Sequence, residues 1–156
     1  MSIYEAQVVS VILYNSNSWA APKKVLEKLD ISHRKHLRSI LNIHWPTGVI
    51  SNNNLYKRCK TTPLSQRIEK SRWTMLGHIL RGSETSPAYL ALNFTLDGSA
   101  KYKSRAGRHR INLFNTIKND LKSRKIQLTR PEDITALREI ASDRLKWRRL
   151  FGTQSV

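Results

Sequence analysis

The sequence predicts an all-α fold, a small array of about six to seven helices with a basic linker loop. Three observations point there. Apolar residues recur three and four apart in several long stretches, the signature of one-sided helices. No stretch alternates apolar and polar residues as a half-buried strand would, and no internal repeat or low-complexity tract is present. Between the periodic stretches stand Asn, Ser, Gly and Pro, which interrupt regular structure.

Residues 3–14, "IYEAQVVSVILY", form the first predicted helix, with Tyr4, Val8, Val11 and Ile12 at helical spacing. A buried strand is the alternative for its β-branched part. "NSNS" ends it. Ser18 or Trp19 begins the approach to a second helix, which tolerates Pro22 in its first turn, where no amide hydrogen is needed, and runs to about Asn42. Val25, Leu26, Leu29, His33, Leu37, Ile40 and Leu41 make its apolar side, while Lys23, Lys24, Lys28, Arg34, Lys35 and Arg38 lie mostly elsewhere. Pro46 disfavours helical geometry at Trp45 and closes this region. Asn52 or Asn53 caps a short helix through Lys60. Thr62, before Pro63, starts a fourth that reaches Arg81, with Leu64, Ile68, Met75, Leu76 and Ile79 in one stripe that Arg72 interrupts.

"SPAYLAL" is a weak fifth helix and "FTLDGSAKYKSRAG" a loop. Leu113, Phe114, Ile117 and Leu121 define a sixth helix closing by Lys125. Thr129 and Glu132 make a capping-box pattern that opens a last helical region to Phe151, broken near Ser142. The expected organisation is a helical region at 1–95, a basic linker at 96–108 and a C-terminal helical segment at 109–156.

The 156 residues carry a net charge of +17. A charge this one-sided repels itself and favours a polyanionic partner, nucleic acid before an anionic membrane. From Lys101 to Lys125 there are nine cations and one acid, Asp120, a net +8. Lys101, Lys103, Arg105, Arg108 and Arg110 occupy a segment with Gly107, which allows close backbone approach. Lys118 follows on the next helix. Guanidinium forks and free amides at a helix start both suit phosphate oxygens. A second basic group comprises Lys57, Arg58, Lys60, Arg67, Lys70 and Arg72. Phosphate contacts position a protein without reading sequence, and Tyr102 is the one aromatic ring in the loop that could stack on a base. The competing view is that these cations are simply solvated faces.

Catalytic and metal chemistry are not apparent. The eleven acids are scattered and the six glycines isolated, so neither a magnesium site nor a Walker-type phosphate loop is present. His33 and His36 with a lone Cys59 fall short of the four converging ligands of a zinc site; His33 is expected half-buried in the core, His36 solvated and Cys59 a semi-buried filler. No catalytic residue, metal ligand or cofactor is assigned. With a single cysteine, an intramolecular disulfide is excluded and a reducing compartment, nucleus or cytoplasm, is expected. The short apolar run at Val8–Leu13, preceded by Glu5, does not make a secretory signal, and no stretch approaches the roughly 20 apolar residues of a membrane span. Trp19, Trp45, Trp73 and Trp147 are expected to pack in core or hinge positions.

Five patches in order resemble one family, the C-terminal thumb and post-thumb region of reverse transcriptases from non-LTR (LINE-type) retrotransposons. "ILYNSNSW" (12–19) is similar to its Leu-Tyr-Gly-Ser-Glu-Thr-Trp. "RKHLRSILNIHW" (34–45) resembles the following Leu-Arg-x-Ile-Leu-x-Ile-x-Trp, and "PLSQRIEKSRWTMLGHILR" (63–81) the helix ending Leu-Gly-His-Val-Leu-Arg. "GRHRINLFNTIKNDL" (107–121) resembles Gly-Arg-Pro-Arg-x-x-Trp-x-x-x-Val-x-x-Asp-Leu, and "SDRLKWRRLF" (142–151) a terminal Asp-Arg-x-x-Trp-Arg-x-Leu. The sequence departs from the pattern at Asn15, Asn17, Met75, His109 and Leu113.

The resemblance implies a non-catalytic fragment of an RNA-directed DNA polymerase that grips template–primer nucleic acid, whether RNA, DNA or a hybrid duplex. It implies that the palm with its magnesium carboxylates is missing, so the chain is inactive alone and the palm is a candidate partner. It marks Trp19, Leu76, Gly77, His78, Arg81 and Trp147 as structural motif residues. Gly inside a helix costs about 1 kcal/mol relative to Ala, so Gly77 is expected at a close crossing, with His78 hydrogen-bonding across it. A structural RNA- or DNA-binding protein and a decayed retroelement remnant are the alternatives.

Overall fold

A computed structural model describes residues 2–46, 48–96, 112–124, 126 and 131–152. Among them the fold is all-α, without strands. The chain divides into two compact units, residues 1–17 with 22–71 and residues 18–21 with 72–156. The division runs between residues 71 and 72. Residues 97–108 of the linker expected from sequence lie outside the described residues.

In the first unit, α1 (Ser2–Tyr4), a π-helical turn (Glu5–Val9) and α2 (Ser10–Ile12) follow one another. The Ser10 amide donates to Glu5 O, five residues back. That wider turn aligns residues five apart, and both Tyr4 and Val9 of this stretch are put to internal use: Val9 is buried and Tyr4 OH meets His33 Nδ1 at 2.9 Å. The π turn is a departure from the regular helix expected at 3–14.

Ser16–Ser18 form a short 3-10 turn, and α3 runs from Lys23 to Ile40. Pro22, expected inside the first turn, sits instead at the N-cap in extended backbone. The helix stops at Leu41, before Asn42 turns left-handed at φ 54°, a conformation Asn tolerates; Pro46 stands further on. Its buried residues are His33 and Leu37.

In α4 (Asn52–Cys59) the cap is Ser51, whose hydroxyl accepts from the Asn54 amide, and not Asn52 or Asn53. The helix buries Leu55 and Cys59, which cluster with Leu37 under Tyr4, Leu41, Ile43, Ile50 and Tyr56. Burial raises the Cys59 thiol pKa, so the sulfur is a core filler.

Helix α5 spans Leu64–Arg81, its residues through Ser71 in the first unit and the remainder in the second. In the first unit Leu64 and Ile68 are buried, and Asp30 of α3 accepts from the Ser65 amide at 3.0 Å and from its hydroxyl at 2.6 Å.

The second unit continues with α6 (Pro87–Leu96), α7 (Leu113–Ser123), α8 (Pro131–Ser142) and α9 (Arg144–Phe151). Phe94, Thr95 and Leu96 are therefore helical, not loop. Asn112 caps α7 by accepting from Asn115 N at 2.7 Å. Asp143 breaks the last region in two, capping α9 through the Leu145 and Lys146 amides at 2.8 and 3.0 Å. The capping-box pair Thr129 and Glu132 lies outside the described side chains.

One apolar cluster holds this unit. Trp73, Leu76 and Leu80 of α5 pack with Tyr89, Ile117, Leu121, Ile134, Leu137, Ala141, Trp147 and Phe151. Trp73 stacks on Phe151 with ring centroids 4.2 Å apart, and Trp147 lies 4.3 Å from Phe151. Each such side chain withdrawn from water is worth about 1.5–3 kcal/mol.

Candidate nucleic-acid interface

The helices sort their cations into two kinds. Many arginines are spent inside the units. Arg34 reaches Tyr56 OH, Arg38 donates to Asn52 Oδ1 at 2.7 Å, and Arg67 pairs with Glu5 at 2.8 Å. Arg124 donates to Leu150 O at 2.6 Å and lies over the Trp73 and Phe151 rings. Arg138 donates to Gly82 O, pairs with Glu84 and covers Tyr89.

Arg72 goes furthest inward. It is 2% exposed, with Nη2 on Asp120 Oδ2 at 2.6 Å, while its Nε and Nη1 have no hydrogen-bond partner among the described residues. It is a buried residue of the second unit and not a surface cation of the expected basic group. Arg67 is likewise engaged internally.

Lysines stand outside. On α3, Lys24, Lys28 and Lys35 are exposed. At 100° per residue they fall within one narrow strip, with Ile31 between them. On α7, Lys118 and Lys122 are exposed and one turn apart. None of these five has a hydrogen-bond or ion-pair partner among the described residues. Lys57, Arg58 and Lys60 are exposed at the end of α4, and Lys70 is exposed on α5. The five loop cations, Lys101, Lys103, Arg105, Arg108 and Arg110, with Tyr102 and Gly107, lie outside the described residues.

The motif residues are placed as follows. Leu76 is buried in the large cluster and Trp19 is half-buried. A Cβ built on Gly77 would stand 2.6 Å from Trp147 Nε1 and 2.9 Å from its Cε2. No side chain fits there. The absence of one lets the indole donate to the Trp73 carbonyl, a turn earlier on α5, at 3.1 Å. The residue that makes this bond is Trp147; His78 is exposed, because it points a full 100° away from Gly77. Arg81 reaches across instead, donating to Ala141 O at 3.1 Å.

Two aromatic or imidazole sites differ from expectation. Trp45 is 85% exposed, not packed; lying in the irregular stretch after α3, it has no helical face to bury it. His33 is fully buried, not half-buried. It sits between Tyr4 and Tyr56 at centroid distances of 5.7 and 6.0 Å, and its Nε2 has no hydrogen-bond partner among the described residues. Burial lowers its pKa, with Arg67 and His36 acting the same way and Glu5 and Asp30 opposing.

No group of three or more His, Cys, Asp or Glu is arranged to hold a metal ion among the described residues, and none of the described helices is long and apolar enough to cross a membrane. Compared with known proteins, the chain matches no family model, no curated protein and no solved structure.

Proposed function

We propose that this chain is a non-catalytic, nucleic-acid-binding piece of a non-LTR retrotransposon reverse transcriptase, equivalent to its thumb and post-thumb region, acting in the nucleus or cytoplasm. The observation that carries the binding function is the sorting of cations. Internal bonds take up many of the arginines, and rows of lysine ammonium groups are left facing water at Lys24, Lys28 and Lys35 and at Lys118 and Lys122. Ammonium groups on flexible stems act on phosphate as point charges, so they grip a duplex by its backbone without reading bases. The five sequence patches support the family assignment, with the palm domain as the further partner.

The test is a salt titration of the purified chain on a labelled RNA–DNA duplex. Engagement of about six phosphates gives a slope of log K against log salt near roughly −5. No binding at 50 mM salt would overturn the function. Primer extension with magnesium and nucleotides would overturn its non-catalytic character.

A further inference from the structure

Arg144 and Arg148 stand four apart on α9 and so share one side of that helix. Both are exposed and neither has a hydrogen-bond or ion-pair partner among the described residues. Arg81 comes to them from the end of α5. Its Nη1 is anchored on Ala141 O, three residues before Arg144, and passes 3.0 Å from the point where a Gly77 Cβ would stand. The same point lies 2.6 Å from the Trp147 indole nitrogen, and Trp147 lies in sequence between the two arginines, next to Arg148 and three residues after Arg144. The close passage at Gly77 thus brings the Arg81 guanidinium to the stretch of chain that leads into and carries the pair.

Like charges so placed repel. Partial burial, then the charges of Arg144 and Arg148, hold the Arg81 pKa below the ordinary arginine value. The nearest acid in sequence, Asp143, is committed to the Leu145 and Lys146 amides, and those contacts lower its pKa. No ion pair among the described residues neutralises the trio.

We propose that Arg81, Arg144 and Arg148 form a seat for one phosphodiester group of a nucleic-acid backbone. The proposal rests on the binding function above and gives it a fixed point in the second unit. Arg81 supplies a half-buried guanidinium held in place by the Ala141 carbonyl, with donors to spare. Arg144 and Arg148 add planar forks that match phosphate oxygens two at a time. An anion bound there relieves the repulsion among all three, an advantage that separated surface lysines do not offer.

The test compares two variants of equal charge loss and equal spacing, R144Q/R148Q on α9 and K118Q/K122Q on α7, with folding checked by circular dichroism. Arg81 is left intact because its Ala141 bond is structural. Fluorescence anisotropy with a labelled RNA–DNA duplex is read from 50 to 200 mM salt. The arginine pair is expected to lower affinity by about tenfold or more and to flatten the salt slope by roughly 0.9 for each phosphate no longer engaged; the lysine pair should cost several-fold less. Equal losses would overturn the seat while leaving nucleic-acid binding intact. Should the unaltered chain ignore the duplex altogether, the binding function fails, and inorganic pyrophosphate then decides the seat alone. A rise in melting temperature present in the parent and absent in R144Q/R148Q supports it; the same response in both overturns it.

Discussion

The two units solve the problem of cohesion differently. The first gathers Leu37, Leu55 and Cys59 into a small cluster and adds polar ties between distant residues: Tyr4 to His33, Glu5 to Thr61 and Arg67, Asp30 to Ser65. In the second, eleven buried residues form one contiguous cluster that includes three stacked or tilted aromatic rings, and long-range polar ties, Arg72 to Asp120 and Arg81 to Ala141 among them, only add to it. Apolar burial is insensitive to protonation and punishes changes of shape. Hydrogen bonds to titratable groups respond to pH. The same helix, α5, lends residues to both, so the contrast comes from what packs around it and not from differing helix chemistry.

The sharpest way to break this contrast is at Gly77. Gly77→Leu forces the Trp147 indole off the Trp73 carbonyl and should cost the second unit about 3 kcal/mol, the upper part of the range for overpacking. Near-ultraviolet circular dichroism of the tryptophans would show a drop in melting temperature of roughly 10 °C or more. An unchanged transition would mean that the indole is not wedged against the glycine.

Mild acid should act first on the other unit. His33 has its pKa lowered on folding, so the unfolded chain takes up a proton first. The stability it confers is present above the ordinary histidine value of 6.5 and drains away as pH falls through that value towards the lowered one. Burial raises the Glu5 carboxyl pKa, but hydrogen bonds from Arg67 and Thr61 outweigh it and leave the pKa lowered. A second loss therefore begins as pH falls below about 4.5, its ordinary value. Amide exchange at residues 2–12, corrected for intrinsic rates, should accelerate in two stages, the first removed by His33→Phe. Acceleration centred on α8 and α9 would invert the comparison.

The smallest effect is expected from Arg67→Gln. The Arg67–Glu5 pair is about one-third exposed, and such pairs contribute about 1 kcal/mol or less. Denaturant unfolding should shift slightly at low salt and not at 1 M. A larger shift would make the first unit more dependent on that single tie than its several others allow.

Much of the fold was legible because helices with one apolar stripe announce themselves. Leu64, Ile68 and Leu76 in α5, and Ile117 and Leu121 in α7, are buried at the spacing that predicted them. The break near Ser142 fell one residue from Asp143, a residue type that caps. Boundaries were harder. Asn52 and Asn53 looked like caps, yet the neighbouring Ser51 has the extended backbone a cap needs. The π turn at Glu5–Val9 leaves no mark in a pattern read at 3.6 residues per turn.

The interface was legible only in part, since charge counts do not reveal which cations are already occupied. Arg67 and Arg72 look like Lys57 and Arg58 in a string of letters, and only packing sends the first two inward. The arginine trio was missed for the complementary reason. Arg81 stands more than sixty positions before Arg144 and Arg148, and the close passage that brings it towards them is at a glycine.

The partition between guanidinium and ammonium groups has one more outcome. A reagent or enzyme that acylates lysine amines would strip charge from the outer face of α3 and α7 while leaving Arg38, Arg72, Arg124 and Arg138 to keep their internal bonds. The scaffold would persist with a muted exterior, and whatever grip survived would be that of the arginines alone.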